Sequence, residues 1–136
     1  MPTYPLYDNE GDALQAANGR PLRDVTIEAA LDGSLNIEDM QVHRAALLAQ
    51  AEIARAAGYV PLAQNFARAA ELTVVPRGEI IEMYNVLRPG RARREELDAL
   101  ADRLEQQYAA PLCAAMVREA AEVYTARGLL RHRDAL

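Results

Sequence analysis

The chain has 136 residues, of which 51% are apolar, and its formal net charge at pH 7 is −5. It is too short for a TIM barrel, which needs about 200 residues or more, and apolar enough to exclude general disorder. All 15 basic residues are arginine, and an acidic chain without lysine is a poor candidate for the salt-dependent phosphate contacts of nucleic-acid binding.

The first 23 residues contain three of the seven prolines and show little periodicity. We expect residues 1–23 to form an extended arm and residues 24–136 to form one helical domain. Apolar arm residues such as Tyr4 and Leu6 need a surface to lie on, because ordering them must be offset by burial. A frayed terminus is the alternative.

Capping residues and helix breakers predict a series of helices along the rest of the chain. Asp24 or Thr26 begins a short helix that Gly33 ends. No stretch favours a strand, so the predicted fold class is all-α, a small helical domain of about five to six helices with an extended N-terminal arm. Residues 34–40 are predicted to form a turn and a brief helical segment, and the remaining predicted helices are 44–57, 61–72, 79–87, 92–108 and 111–130.

The positions of apolar residues predict which helix faces are buried. The span 92–108 is the clearest amphipathic helix, and the span 44–57 is apolar over most of its surface, so it needs cover on several sides. This surplus of apolar surface indicates a partner protein. The expected inner faces are Leu62, Phe66, Ala69 and Ala70; Ile80, Ile81, Tyr84 and Leu87; Leu97, Leu100, Ala101, Leu104 and Tyr108; and Leu112, Met116, Ala120, Val123 and Tyr124.

A search for catalytic or metal-binding patterns finds none. His43 and His132 have no carboxylate at a ligand spacing, and a small buried side chain is the favoured interpretation of Cys113, the only cysteine. The carboxylates of residues 95–105 alternate with arginines and lack the histidines of a di-iron site, which favours a solvated helix face. No apolar run reaches the roughly 18 residues of a membrane span. The residues therefore predict a non-catalytic helical module without catalytic, cofactor-binding or metal-binding residues.

Two neighbouring stretches carry a more specific signal: NFARAAELTVVP at 65–76 and IIEMYNVLRP at 80–89. They resemble the small (γ) subunit of adenosylcobalamin-dependent diol and glycerol dehydratases, whose members read approximately NFxRAAELxxxPDxxILxIYNALRP. The resemblance runs in the same order from about residue 4 to residue 127. The other matching segments are GRPLRDVTIE at 19–28, IEDM at 37–40, ELDALADRLE at 96–105 and AAMVREAAEVY at 114–124.

The resemblance implies a subunit of an enzyme that converts 1,2-propanediol, glycerol or ethanediol to the aldehyde and water by radical chemistry. Adenosylcobalamin supplies the radical in this family. The family's large subunit is a TIM barrel with the catalytic residues, and the cobalamin lies between the large and medium subunits. The small subunit covers the large one in a heterohexamer with two copies of each chain, and it contributes no catalytic or cofactor-binding residue.

The resemblance also directs attention to residues that contact another subunit. For each polar candidate, an internal cap or a helix–helix hydrogen bond is the equal alternative. The interface candidates are Tyr4, Leu6, Asn65, Arg68, Glu71, Asn85, Arg88 and Arg118.

The chain departs from the family pattern after Arg88-Pro89. Where members often have an aromatic residue and then serine or threonine, this chain has Gly90 followed by Arg-Ala-Arg at 91–93. The missing capping hydroxyl costs on the order of 1 kcal/mol locally. Contacts made by that turn in the family are therefore not carried over.

The matching region begins almost at Met1, without the N-terminal segment that many diol dehydratases carry for packaging in bacterial microcompartments. We therefore expect a cytoplasmic location, with a microcompartment as the less favoured alternative, and a start closer to the glycerol dehydratase type. The alternative function is a stand-alone helical interaction or regulatory module related to the small subunit. Genes for large and medium subunits directly upstream would favour the subunit.

Overall fold

The computed structural model describes residues 1–132, apart from the side chains of Ile37 and Met40. Within this range the chain contains seven α-helices, two 3₁₀ helices and two isolated β-bridges but no strand, which confirms the predicted all-α class. The α-helices are α1 (Leu6–Glu10), α2 (Ile27–Leu31), α3 (Arg44–Ala56), α4 (Val60–Leu72), α5 (Arg77–Val86), α6 (Arg94–Gln106) and α7 (Pro111–Arg127), and the 3₁₀ helices are Leu22–Asp24 and Ile37–Met40.

The chain forms two compact units, which are described separately. The first extends from Met1 to Thr73, and the second begins at Val74. Residues 1–23 lie in the first unit together with α2, α3 and α4, and the expected division into an arm and a helical domain stays a prediction.

A helical hairpin of α3 and α4 is the largest part of the first unit. Apart from Glu71, the residues that these helices bury are alanines, which allow helices to approach closely. The connection contains Gly58, the predicted stop, with φ of +89°. At the start of α3, Nδ1 of His43 accepts a hydrogen bond from the Ala45 N–H at 3.0 Å. The buried alanines are Ala51, Ala54, Ala63 and Ala70.

The N-terminal segment is less extended than expected. It contains α1 and the first 3₁₀ helix, and its stretch around Ala16 forms bridges with Pro21 and Val42. Leu14 and Ala16 are buried. The bridge between Ala16 and Val42 joins residues 26 apart in the sequence, so local periodicity could not reveal it.

Asp39 ties the N-terminal segment to the second 3₁₀ helix. Its buried carboxylate accepts hydrogen bonds from the Asn36 backbone N–H at 2.8 Å and from the Asn18 amide at 2.7 Å. The Arg20 guanidinium lies 3.4 Å from the same carboxylate. The hydrogen bonds from Asn36 and Asn18, with the charge of Arg20, lower the pKa of Asp39 below its usual range.

The second unit is built on the contact between α6 and α7. Three leucines of α6 are almost completely buried, and α7 buries mostly small residues beside them. Tyr124 on α7 donates a hydrogen bond from its hydroxyl to the carbonyl oxygen of Leu87 at 2.5 Å, which fastens the end of α5. The buried residues of the two helices are Leu97, Leu100, Ala101 and Leu104 on α6 and Cys113, Ala114, Val117 and Ala121 on α7.

The predicted inner face was right for α6 and wrong for α7. On α7 the buried side is the Cys113–Val117 side, whereas Leu112, Met116 and Val123 are exposed. The reason is steric, because the bulky α6 leucines occupy the space between the helices and leave room only for small α7 residues. The same reversal occurs for Leu62 on α4 and for Ile81 and Tyr84 on α5, which are exposed in spite of their expected burial.

The positive φ of Gly58 gives a test of the α3–α4 turn. We expect Gly58→Ala to lower the free energy of unfolding by about 1 kcal/mol, because a Cβ is disfavoured in the left-handed conformation. The added methyl would meet no atom within 4 Å, so the cost is conformational.

Gly78→Ala is the matched control. Gly78 lies inside α5, has no positive φ and also has open space, so alanine there should be neutral or stabilise the fold by up to about 1 kcal/mol. Urea unfolding gives the free energy of unfolding of both variants. Equal changes in the two variants would contradict the left-handed backbone conformation of Gly58.

The lowered pKa of Asp39 predicts a pH dependence of stability. An aspartate in the unfolded chain has a pKa of about 3.9, so ionised Asp39 stabilises the fold fully above about pH 4, and this contribution is lost as the pH falls through the lowered folded pKa. We expect Asp39→Asn to reduce the melting temperature at pH 7. The melting temperature of this variant should also fall less on acidification than that of the wild type. Circular dichroism melts between about pH 7 and pH 2 measure this. Glu38→Gln, at an exposed neighbouring carboxylate, is the control, and identical profiles for the two variants would refute the role of Asp39.

Candidate subunit interface

The described part of the chain buries small apolar residues and exposes larger ones. Eleven of its 19 buried apolar residues are alanines. A core of this kind removes little apolar surface from water per residue, and the larger side chains that would normally fill it lie at the surface. The exposed larger apolar residues are Met1, Tyr4, Tyr7, Ile27, Leu31, Val42, Leu48, Tyr59, Val60, Leu62, Val74, Ile81, Tyr84, Leu112, Met116 and Val123.

Helix α2 presents the most exposed apolar pair. The side chains of Ile27 and Leu31 are 77% and 83% exposed, and their i,i+4 spacing places them on one side of the helix. The helix is fixed by a cap, since the Thr26 hydroxyl accepts the Ala29 N–H at 3.1 Å. We call Ile27 and Leu31 the α2 ridge. Sequence reasoning missed this ridge, although an apolar i,i+4 pair in a helix too short to bury both sides was a usable signal.

Tyr4 and Leu6, the two apolar interface candidates, lie together beside the α3–α4 hairpin. They line a groove of about 380 Å³, whose other walls are mostly apolar residues of α3 and α4 such as Ile53 and Phe66. Tyr4 is 76% exposed, so most of its ring remains available to a partner. Tyr4 therefore lies on a groove rather than in a core, and its contact with another subunit stays a prediction.

The three polar candidates on α4 have contacts within the chain. Arg68 donates a hydrogen bond to the side-chain oxygen of Asn65, one helical turn away. Glu71 is only 5% exposed, so its carboxylate is not accessible to a partner in this conformation. The structure therefore brings these residues together along one helix and favours an internal role for Glu71.

Arg118 joins the two long helices of the second unit. Its guanidinium lies 2.6 Å from the Glu105 carboxylate and 3.0 Å from that of Asp102, both on α6. The hydrogen bonds that Arg118 donates to Glu105 and then to Asp102 raise its pKa above the usual value. This geometry is that of a helix–helix ion pair, the alternative to an interface role that the sequence left open.

A second arginine makes the corresponding contact nearer the start of α6. Arg94 pairs with Glu122 of α7 and with Asp98 one turn along its own helix, and it donates to the Thr125 hydroxyl at 3.0 Å. The hydrogen bond to Glu122 is the main cause of the raised pKa of Arg94. Arg94 and Arg118 thus flank the buried leucines with charge pairs at the surface.

Asn85 and Arg88 lie together at the end of α5. With Glu82, Arg91 and Glu96 they line a polar concavity of about 390 Å³. Asn85 and Arg88 are exposed. The structure therefore places two interface candidates in one concavity, next to Arg91 of the turn that follows Arg88-Pro89.

No described group of three or more histidine, cysteine, aspartate or glutamate residues is arranged to hold a metal ion. His43 accepts the Ala45 N–H through Nδ1, so in that tautomer Nε2 carries the hydrogen and offers no lone pair. Cys113 is 1% exposed in the contact between α6 and α7. Among the helices of residues 1–132, none is both long and apolar enough to cross a bilayer.

Comparison with known proteins places the whole described chain in one family. Residues 1–131 match the family described as "Dehydratase small subunit". The propanediol dehydratase small subunits of Citrobacter freundii and of Salmonella typhimurium strain LT2 are each 46% identical to this chain over 131 residues, which cover 96% of this chain and 76% of the relative. The chain therefore belongs to the dehydratase small-subunit family.

Proposed function

We propose that this chain is the small structural subunit of an adenosylcobalamin-dependent diol dehydratase. The holoenzyme would convert 1,2-propanediol, glycerol or ethanediol to the corresponding aldehyde and water. The observation that carries the proposal is the 46% identity, over 96% of the chain, to proteins named propanediol dehydratase small subunits.

The distribution of apolar residues supports a subunit role. A core made largely of alanines leaves much of the apolar surface uncovered, and obligate interfaces resemble a protein core cut in half. In the proposed assembly, the exposed residues of both units cover and brace the large TIM-barrel subunit. The medium subunit completes a complex with two copies of each chain.

The cofactor is assigned to the other subunits. Adenosylcobalamin supplies the radical that starts the dehydration when it is bound to the holoenzyme. We propose no cofactor contact for this chain, in which His43 caps α3 and His132 is exposed at the end of the described residues. No step of the reaction is therefore assigned to a residue of this chain. The single cysteine allows no internal disulfide, which is consistent with the reducing cytoplasm as the proposed location.

The geometry divides the interface candidates into two sets. Tyr4, Leu6, Asn85 and Arg88 line grooves or concavities that face solvent, so we keep them as interface residues. The second set has contacts within the chain that give its members an internal role in addition to any contact with a partner. This set consists of Asn65, Arg68, Glu71 and Arg118.

The function is tested by co-expression of the large and medium subunits with and without this chain. We expect aldehyde formation from 1,2-propanediol with added adenosylcobalamin to be lost or strongly reduced without it, because the large subunit would lose its cover. Size-exclusion chromatography should show the three chains in one complex. Equal activity in both preparations would show that this chain is not needed for the dehydration and would overturn the proposal. A stable monomer with no affinity for the other chains would favour the stand-alone interaction module.

The α2 ridge gives a test of the exposed apolar surface. The double variant Ile27→Ser/Leu31→Ser should keep its stability within about 0.5 kcal/mol, because both side chains are exposed in the isolated chain. Its affinity for the large and medium subunits should fall about tenfold or more, since each side chain would bury apolar area in the complex. Ala30→Ser, an exposed position on the same helix, is the control. Affinities are measured by biolayer interferometry, and wild-type affinity in the double variant would show that α2 lies outside the interface.

A further inference from the structure

The turn between α5 and α6 displays three arginines that have no ion pair within the described chain. Arg88, Arg91 and Arg93 are exposed. Other arginines of the second unit are paired: Arg94 with Glu122 and Asp98, Arg103 with Glu79, Arg118 with Glu105 and Asp102, and Arg131 with Glu96. We call Arg88, Arg91 and Arg93 the arginine turn.

Backbone hydrogen bonds hold this turn in place. The Gly90 N–H donates to the Leu129 carbonyl oxygen at 2.7 Å, and the Arg131 N–H donates to the Ala92 carbonyl oxygen at 2.7 Å. Ala92 is 3% exposed, so the backbone between the arginines is packed into the unit. Gly90, with φ of +79°, supplies a conformation that a side chain would disfavour. A fixed backbone reduces the entropy that the arginines lose on binding.

The concavity beside the turn has the chemistry of a carboxylate site. Arg88, Arg91 and Asn85 line it and supply guanidinium and amide donors. Of the acidic residues at its edge, Glu96 is already engaged by Arg131 at 3.2 Å and by the Arg93 backbone N–H at 3.4 Å. Arginine forks bind carboxylates with two parallel hydrogen bonds, and these are stronger than bonds between neutral groups.

We propose that the arginine turn docks on a carboxylate-bearing surface of the large subunit. The inference rests on the proposed function. It names the surface of this chain that binds the large subunit and the chemical groups that this surface recognises. Two of its residues, Arg91 and Arg93, lie where this chain departs from the family pattern, whereas Arg88 belongs to the matching segment.

Two other occupants fit less well. A nucleic acid would bring several phosphates close together onto a chain of net charge −5. A second copy offers an acidic stretch at residues 24–43, which holds five carboxylates and no arginine. Docking that stretch on the turn is a head-to-tail contact, and such contacts form open chains unless the rotation between copies closes a ring.

The test measures the affinity of this chain for the large subunit alone and for the co-expressed large and medium subunits, each at low and high salt, and an effect of the arginine substitutions that appears only with the medium subunit present would overturn the large subunit as the partner. Arg88→Ala/Arg91→Ala should weaken binding about tenfold and reduce its salt dependence, since two charge-assisted contacts are lost. Arg77→Ala/Arg127→Ala is the matched control, because both residues are exposed in the same unit and have no ion pair in the described chain, and its affinity should stay within about twofold of wild type. Arg88→Lys/Arg91→Lys should keep the salt dependence but recover only part of the affinity, because lysine lacks the guanidinium fork.

The outcomes are distinguishable. An alanine variant that matches the control in affinity and salt dependence would overturn the docking surface and leave the proposed function intact. A wild-type chain that does not bind the other subunits would overturn the proposed function and the docking surface with it. Binding of a labelled single-stranded oligonucleotide by the chain alone, lost in the alanine variant, would overturn the carboxylate partner in favour of nucleic acid. Circular dichroism melts verify that each variant is folded, and the lysine variant provides the comparison if the alanine variant is not.

Discussion

Close packing of helices through alanine is the constraint on which both units depend. In the first unit, alanines are the apolar residues buried by α3 and α4, and in the second unit small residues of α7 make room for three leucines of α6. Helices that meet through such residues bury little apolar area, so each core contributes modestly to stability. The larger apolar side chains lie outside, where binding of another subunit would stabilise the folded chain further.

Charge is arranged around these cores in two ways. Arg94 and Arg118 connect α6 to α7 through carboxylates at the surface, where ion pairs contribute little to stability but fix the register of the two helices. The arginine turn has the opposite character, because a packed backbone carries side chains that no carboxylate of the described chain meets. Arginine side chains therefore form ion pairs between α6 and α7 at some positions and remain exposed to a partner in the arginine turn.

The helices from α2 onward could be predicted from the sequence because local signals define them, whereas α1 lies in the segment that was predicted to be extended. Gly58, Pro61 and Pro111 mark helix ends, and the observed bounds differ from the predicted ones by a few residues at most. The buried face of α7 could not be predicted, since its apolar residues surround the helix and only the bulk of α6 decides between the faces. Tyr4 and Arg88 were predicted as interface residues and lie on a groove and a concavity, so their interface role stays a prediction. The ion pairs of Arg118 could not be predicted, because they depend on residues of another helix.

The position of Cys113 makes the second unit experimentally addressable. Its thiol is the only one in the chain and lies 1% exposed between α6 and α7. Alkylating reagents would reach the Cys113 thiol only when α6 and α7 separate, so the rate of alkylation measures how often the second unit opens. In the assembled enzyme, alkylation would be slower if contacts with the other subunits keep α6 and α7 packed together.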